Sequence, residues 1–431
     1  MERIHYKIQL VIFFLFAGYG ISAKTPDAGS GNLHNPSLVK KFYEATQRIP
    51  YWFNSPVDYS KAQKNFILLL DNAGYLGLDK SKYHYDELKK DLTTTDTTEI
   101  KIKDKVFTDA VISFCRDVYQ GTETSRWLGN DEISGKYATT DDNYLLTALV
   151  TLKTASDIST IITSLEPTAA EYIVIKKELK IQLDSAHTQK VRQLSVSLNF
   201  YRWIHHFRFD KFIIVNIPAA SLRYFEKDKS LLQMKVVVGK PATKTPRFST
   251  YCFEVVLYPY WNVPRSIAIK ELLPKFKRNP SAMVGMDIQV VNKAGKVVDY
   301  TSLNWASFSG SNFPYQFRQC TGCDNSLGVI KFNLTDPFSV YLHDTNFKKA
   351  FAKSSRFISH GCIRVEKPIE LGNYLLNNKL DSNFVKACLR DQKPVPTKVT
   401  PQVPVFVVYT PATVDSSNNV VYLKDVYRLF K

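Results

Sequence analysis

Residues Ser355 to Val365 read SRFISHGCIRV, and the role of Cys362 in this stretch decides how the rest of the chain is read. The cysteine sits between a glycine and an isoleucine, two residues after His360 and nineteen after His343. In such a setting it is half of a disulfide, a metal ligand, a core filler or a nucleophile. Six cysteines in 431 residues are too few for a disulfide scaffold, so Cys115, Cys252, Cys320, Cys323, Cys362 and Cys388 are weighed singly. Cys115 shares helical spacing with Phe107, Val111, Phe114 and Val118 and reads as buried core.

A nucleophilic reading makes demands that the neighbourhood can meet. A thiol of ordinary pKa, about 8.5, is only a few per cent thiolate at neutral pH, so an imidazole or similar group must activate it. His343, closing the strand-like FSVYLH, and His360, in the turn itself, are both available. Gly361 permits close approach of a substrate, and successive backbone N–H groups in a tight turn can aim at a developing oxyanion.

Working outward, the first residues read MERIHYKIQLVIFFLFAGYGISAK: Arg3 and Lys7, then an apolar run to about Ala17, then small residues. This is the pattern of a secretory signal cleaved near Ala23, with an uncleaved inner-membrane anchor as the alternative, and it places the protein in the periplasm. An unpaired thiol outside the cytoplasm needs a reason to exist, which favours the nucleophile. A net charge of +17 implies acidic or polyanionic partners. The basic residues are scattered without a finger, RNP-type or helix-turn-helix pattern, so nucleic acid is not expected. Peptidoglycan stem peptides, which carry carboxylates, and anionic envelope glycans are. With 44% apolar and 13% aromatic residues, the chain is long enough for two or three ordered domains.

From about Asn35 to Arg208 the pattern is helical. Asn35-Pro36 reads as an N-cap followed by proline, Ser60 opens a helix ending at DNAG, Gly121 closes another, and Pro167 opens a long amphipathic one. His205 and His206 fall on different sides of the last helix, as surface or boundary residues and not as metal ligands. At Lys211 the texture changes to short β-branched and aromatic runs: FIIVNIP, SLRYF, LLQMKVVVG with a hairpin turn at EKDKS, then FEVVLYP, GVIKFNL, FSVYLH and VPVFVVYT. Between WNVP (Trp261 to Pro264) and NSLG (Asn325 to Gly328) lies an insertion long enough to be a functional lid. The chain is therefore expected to be a multidomain α+β protein.

The run YLHDT followed by SHGCIRV resembles the L,D-transpeptidase catalytic domain, the YkuD domain. The segments FIIVNIPAASLRYFE, VVVGKPATKTP, WNVPRSIAIKELLPK and NSLGVIKFNL are similar, in order, to the large Gram-negative, YcbB-like branch. The resemblance implies a signal over 1–23, a helical scaffold domain over 24–208, a mostly β catalytic domain over 209–411 with a capping insertion at 262–327, and a tail at 412–431. It implies that Cys362 is the nucleophile, that His343 is its base with the ring oriented by the main-chain carbonyl of Asp344, and that the Gly361 and Cys362 N–H groups form the oxyanion hole beside His360. Ser359, Arg364, Tyr341, Trp261 and Asn325 fall where the family contacts substrate. Arg364 is a candidate for holding the loop or a substrate carboxylate, with an ion pair under the turn as an equal alternative, and for Tyr341, Trp261 and Asn325 simple packing is the equal alternative.

The implied reaction is attack on a tetrapeptide stem with loss of D-alanine, then resolution of the thioester by an amine on a second stem, giving a 3→3 cross-link. Resolution by water gives an L,D-carboxypeptidase and by a free D-amino acid an exchange enzyme; a wall amidase or peptidase using the same thiol and an inactive wall-binding scaffold are the other readings. No cofactor and no metal are implied. The partners are donor and acceptor stems, with proteins of envelope or cell-wall synthesis beyond them. Carbapenems are expected to acylate Cys362. The chain departs from the branch in two places. No segment between EPTAAEY and NFYRW is long enough for a peptidoglycan-binding module, and a C-x-x-C pair, Cys320 and Cys323, reads as a local disulfide, with free thiols or another pairing as the alternative and a zinc site drawing on Cys320, Cys323, His343 and Cys362 as the weaker one.

Overall fold

The computed structural model describes residues 33–122, 128–152, 154 and 157–430; the expected signal segment lies outside them. The first half is helical: α1 (Pro36–Thr46), α2 (Pro56–Asp71), α3 (Tyr85–Leu88), α4 (Thr97–Gln120), α5 (Ser134–Val150), α6 (Ile158–Leu165), α7 (Ala170–Asp184) and α8 (Thr188–His205). Asn35 stands at the cap position of α1 but caps nothing with its side chain, which donates instead to Ser113 Oγ at 2.7 Å. Helix α2 starts earlier than Ser60, at a proline, because Ser55 Oγ accepts from the Asp58 N–H. Helix α4 runs from the Asp96 cap to Gly121, whose φ of 77° and close approach to the Asn199 carbonyl leave no room for a side chain.

These helices bury Phe42, Phe53, Phe66, Phe107, Phe114 and Cys115 in one core. His205 and His206, expected at a surface or boundary, are buried: His205 Nδ1 meets Asp228 Oδ1 at 2.9 Å and His206 Nε2 meets Asp141 Oδ2 at 3.3 Å. The reason is tertiary, because the last turn of α8 is covered on both sides, by the β half and by α5.

The second half is built from β1 (Asn130–Asp131), β2 (Lys211–Asn216), β3 (Ser221–Glu226), β4 (Lys229–Gly239), β5 (Phe248–Leu257), β6 (Trp261–Asn262), β7 (Ile288–Val291), β8 (Val297–Val298), β9 (Gln316–Gln319), β10 (Ile330–Leu334), β11 (Leu342–His343), β12 (Phe357–Ser359), β13 (Ile363–Val365) and β14 (Val395–Val408). The main sheet runs β1-β5-β10-β11-β13-β4-β3-β2-β14, and β14 also pairs with β5, so the ladder closes on itself. Strand β14 achieves this by running parallel to β2 and antiparallel to β5. Alternation then sorts the side chains: Ile213, Val215, Leu222, Val236, Val238, Val255, Phe332, Leu342, Ile363 and Val365 fill the interior.

The insertion has its own four-stranded sheet, β6-β9-β7-β8, and its own core around Phe276, Met283, Trp305 and Phe317. The halves are joined by shared structure. Strand β1, supplied by the helical half, pairs with β5, and Trp203, Ile204 and Phe207 pack on Phe212, Phe225 and Phe406. Residues 412–430, expected as a tail, form a hairpin, β15 (Ala412–Val414) and β16 (Val420–Tyr422), whose Ala412 and Val414 pack on Tyr172, Leu194 and Leu198; beyond it Tyr427 is buried against the barrel and donates to the Gly239 carbonyl.

Candidate active site

One face of the closed sheet carries the chemistry. Strands β10, β11 and β13 lie side by side, with Lys331 opposite His343 and His343 opposite Arg364. Their sequence neighbours Phe332, Leu342 and Ile363 point inward, so Lys331, His343 and Arg364 point outward along a single rung. Tyr341 and Cys362 precede the paired residues by one step and fall on the same outward face. The Tyr341 side chain neighbours the Cys362 thiol, its ring lies 5.6 Å from that of His343, and Lys331 Nζ stands 4.2 Å from its centroid.

His343 is buried, and its Nδ1 bonds to the main-chain carbonyl of Asp344. A carbonyl can only accept, so Nδ1 carries the proton and the neutral ring presents Nε2 as a base. Burial, with the charges of Arg364 and Lys331 added to it, pushes the imidazolium pKa down to about 3. The Asp344 backbone is itself fixed: its N–H donates to the Ile330 carbonyl at 2.9 Å, and Oδ2 accepts from Val329 N–H at 3.1 Å. Gly328 must be glycine for this to happen, because a Cβ there would lie 2.2 Å from Asp344 Oδ2.

Burial pushes the Cys362 thiol up; the Tyr341 backbone N–H, the Tyr341 hydroxyl and the Lys331 charge act in the opposite direction. The resting site thus pairs a neutral thiol with a neutral base. The turn that carries it is clamped from within. Ser359 Oγ donates to the Cys362 carbonyl at 2.7 Å and accepts from the Gly361 N–H at 3.1 Å, while Thr245 Oγ1 donates to the Gly361 carbonyl at 2.7 Å. Gly361 has φ of 124°, a conformation only glycine adopts without strain.

Several expected roles change on this geometry. The Gly361 N–H, expected to face an oxyanion, is occupied by Ser359; among the described residues the Cys362 N–H has no partner and remains for that task. Ser359, expected to contact substrate, is buried and builds the turn. Asn325 is likewise a bracket, donating to the Pro259 and Cys320 carbonyls and accepting from Leu327 N–H. His360 is exposed, with Nε2 2.8 Å from Glu271 Oε1 on the helical segment of the insertion. Trp261 neighbours Tyr341, at the junction of the insertion and the sheet. Arg364 has no ion pair among the described residues, and its buried Nε has no hydrogen-bond partner.

The cysteine pairing also differs. Cys323 is bonded to Cys388, with Cα atoms 5.2 Å apart across 65 residues, and Cys320 is a free thiol. Sequence proximity suggests the local pair, but the chain returns to this corner after α9 (Pro368–Leu375) and α10 (Ser382–Lys386), where Tyr258 OH donates to Phe384 O and accepts from Leu389 N–H. With Cys323 committed, the zinc alternative loses a ligand. Lys331, Thr245 and Glu271 were not singled out from sequence; a lone lysine in the apolar run GVIKFNL is the one signal that pointed to any of them.

Residues 210–401 match the family model described as the L,D-transpeptidase catalytic domain (YkuD), and residues 37–179 match the one described as the Scaffold domain. A Haemophilus influenzae protein named "Putative L,D-transpeptidase" is 34% identical over 216 residues, which span 50% of this chain and 44% of that one. The chain thus spans less than half the length of this curated relative. Solved structures found as similar include an L,D-transpeptidase from Mycobacterium smegmatis, 12% identical over 46% of this chain and 58% of that one with a TM-score of 0.22. Another is L,D-transpeptidase 1 of Mycobacterium tuberculosis, 15% identical over 46% of this chain and 61% of that one with a TM-score of 0.21.

Proposed function

From the match of residues 210–401 to the YkuD L,D-transpeptidase catalytic domain and of residues 37–179 to the Scaffold domain, we propose that the protein is a peptidoglycan L,D-transpeptidase of the periplasm that forms 3→3 cross-links through a Cys362 thioester. The observation that carries this reading is the outward rung: a thiol beside Tyr341, and next to it an imidazole whose tautomer is set by the Asp344 carbonyl. His343 takes the thiol proton as sulfur attacks the carbonyl of the third stem residue. The Cys362 N–H stabilises the oxyanion, and D-alanine leaves with the proton from His343. An amine of an acceptor stem then attacks the thioester, returns its proton to His343, and releases Cys362.

The insertion supports transfer over hydrolysis. It is tied to the site at Glu271–His360 and sets Trp261 beside Tyr341, where a bound donor would be shielded from water. Export fits the N-terminal sequence, and no helix among the described residues is long and apolar enough to cross a membrane. Cell-wall biogenesis and cell shape are the processes such cross-links serve.

Intact-protein mass spectrometry of wild type and Cys362→Ala with a carbapenem, whose strained amide acylates thiols of this kind, and separately with a disaccharide-tetrapeptide tests the reading. The expected result is a drug adduct confined to wild type together with dimeric muropeptide. An adduct with tripeptide as the sole product would make the enzyme a carboxypeptidase, and no adduct with either reagent would remove Cys362 as nucleophile.

A further inference from the structure

The rung that holds the base also holds two cations that form no ion pair among the described residues. Lys331 and Arg364 flank His343 from the neighbouring strands, one on each side. Neither forms an ion pair among the described residues, although both are largely withdrawn from water, and Arg364 Nε is buried without a partner. Holding unpaired cations in such a place is costly unless an anion arrives. Glu254 attracts Lys331 through space but forms no ion pair with it. The Glu254 carboxylate is hydrogen-bonded to Asn333 at 2.7 Å, and Asp344 is engaged by Lys348 and Val329. Lys331 is held instead over the Tyr341 ring, 4.2 Å from its centroid, which aims its ammonium toward the thiol.

We propose that Lys331 and Arg364 form a seat for the carboxylate of the donor's C-terminal residue, the residue that leaves. This rests on the reading of Cys362 as the nucleophile that attacks a stem peptide. In that peptide the terminal carboxylate is separated from the scissile carbonyl by one amino-acid residue, so a carbonyl at Cys362 brings the carboxylate within reach of groups around the same rung. Lys331 supplies a point charge and Arg364 a planar fork, the pairing suited to a carboxylate. The arrangement also couples recognition to chemistry. The two charges that oppose protonation of His343 are offset when the carboxylate binds, so the imidazole becomes a stronger base in the presence of a stem that has a residue to lose.

The test uses the full chain and two probes, a tetrapeptide stem ending in D-alanine and the same peptide ending in D-alaninamide. Binding is measured by calorimetry to Cys362→Ala, which cannot react, and to Cys362→Ala carrying Lys331→Met or Lys331→Arg. The seat predicts that the acid binds ~10- to 100-fold more tightly than the amide, as a charge-assisted contact does. Lys331→Met should abolish that preference by weakening the acid alone, and Lys331→Arg should keep most of it. Equal binding of acid and amide, or equal weakening of both by Lys331→Met, overturns the seat. Acylation of wild type by the acid, followed by mass, reports separately on the nucleophile. If the peptides are discriminated in binding but never acylate Cys362, the proposed reaction fails while the seat stands.

Discussion

At the residue scale, the protonation states of Cys362 and His343 set what the site can do. Because burial and two nearby cations hold the imidazolium near 3, His343 is a free base at any physiological pH, and because burial raises the thiol, Cys362 rests protonated. Alkylation of Cys362 by iodoacetamide should therefore climb steadily toward and beyond about pH 9, without an inflection near the ordinary histidine value of about 6.5. A plateau beginning near 6.5 would reveal an imidazolium–thiolate pair instead. His343→Ala should slow acylation by ~10²- to 10⁴-fold, the usual worth of a general base. The same residue has a stability signature. The unfolded chain takes up this proton near about 6.5 while the folded one does so only near 3, so the His343 contribution is complete above the first value and is lost as pH falls toward the second. Urea titrations across that range should show stability falling with acidity, with a shallower slope in His343→Gln.

At the scale of elements, the turn from Phe357 to Val365 works because its partners hold it from beneath. Ser359 satisfies both the Gly361 N–H and the Cys362 carbonyl, so Ser359→Ala leaves two backbone groups to find other partners and frees the turn. The expected outcome is a ~10-fold or larger fall in the acylation rate, with little change in binding of the peptide to the groove, which burst kinetics separates. The corner below the insertion depends on Cys323–Cys388, a bond that closes a long loop. Removing it as Cys323→Ser with Cys388→Ser should cost about 4 kcal/mol by loop entropy and lower the Tm by several degrees. Peptide mapping under non-reducing conditions should find Cys320 alkylated and Cys323 linked to Cys388; a Cys320–Cys323 peptide would contradict the pairing.

At the scale of the whole molecule, the helical half is part of the fold of the β half. It lends β1 to the sheet edge and covers Phe212, Phe225 and Phe406 with Trp203 and Phe207, and the C-terminal hairpin returns to seal α7 and α8. Arg202, wholly buried at that seam, is held by Tyr172 OH at 2.8 Å and Asn199 Oδ1 at 3.2 Å. Seams built like a domain core unfold together. The full chain should therefore melt in one calorimetric transition, and residues 209–431 produced alone should expose the apolar seam and aggregate. Two separated transitions would mean that the halves are energetically independent.

The sequence by itself determined the order and type of the main elements and singled out Cys362 as the candidate nucleophile. Helical spacing, strand alternation and the SHGC run are local patterns, fixed by backbone periodicity and by turn chemistry that a short window contains. Only the tertiary structure decided the rest. That Lys331 and Arg364 flank His343 follows from the register of three strands whose residues are distant in sequence. That Ser359 and Asn325 are brackets follows from which backbone groups come within hydrogen-bond reach once the chain closes, and that Cys323 joins Cys388 follows from the path of the chain after α10. Local sequence sets what a residue is able to do, but which partners it meets is settled by long-range pairing, and no window of the sequence encodes that distance.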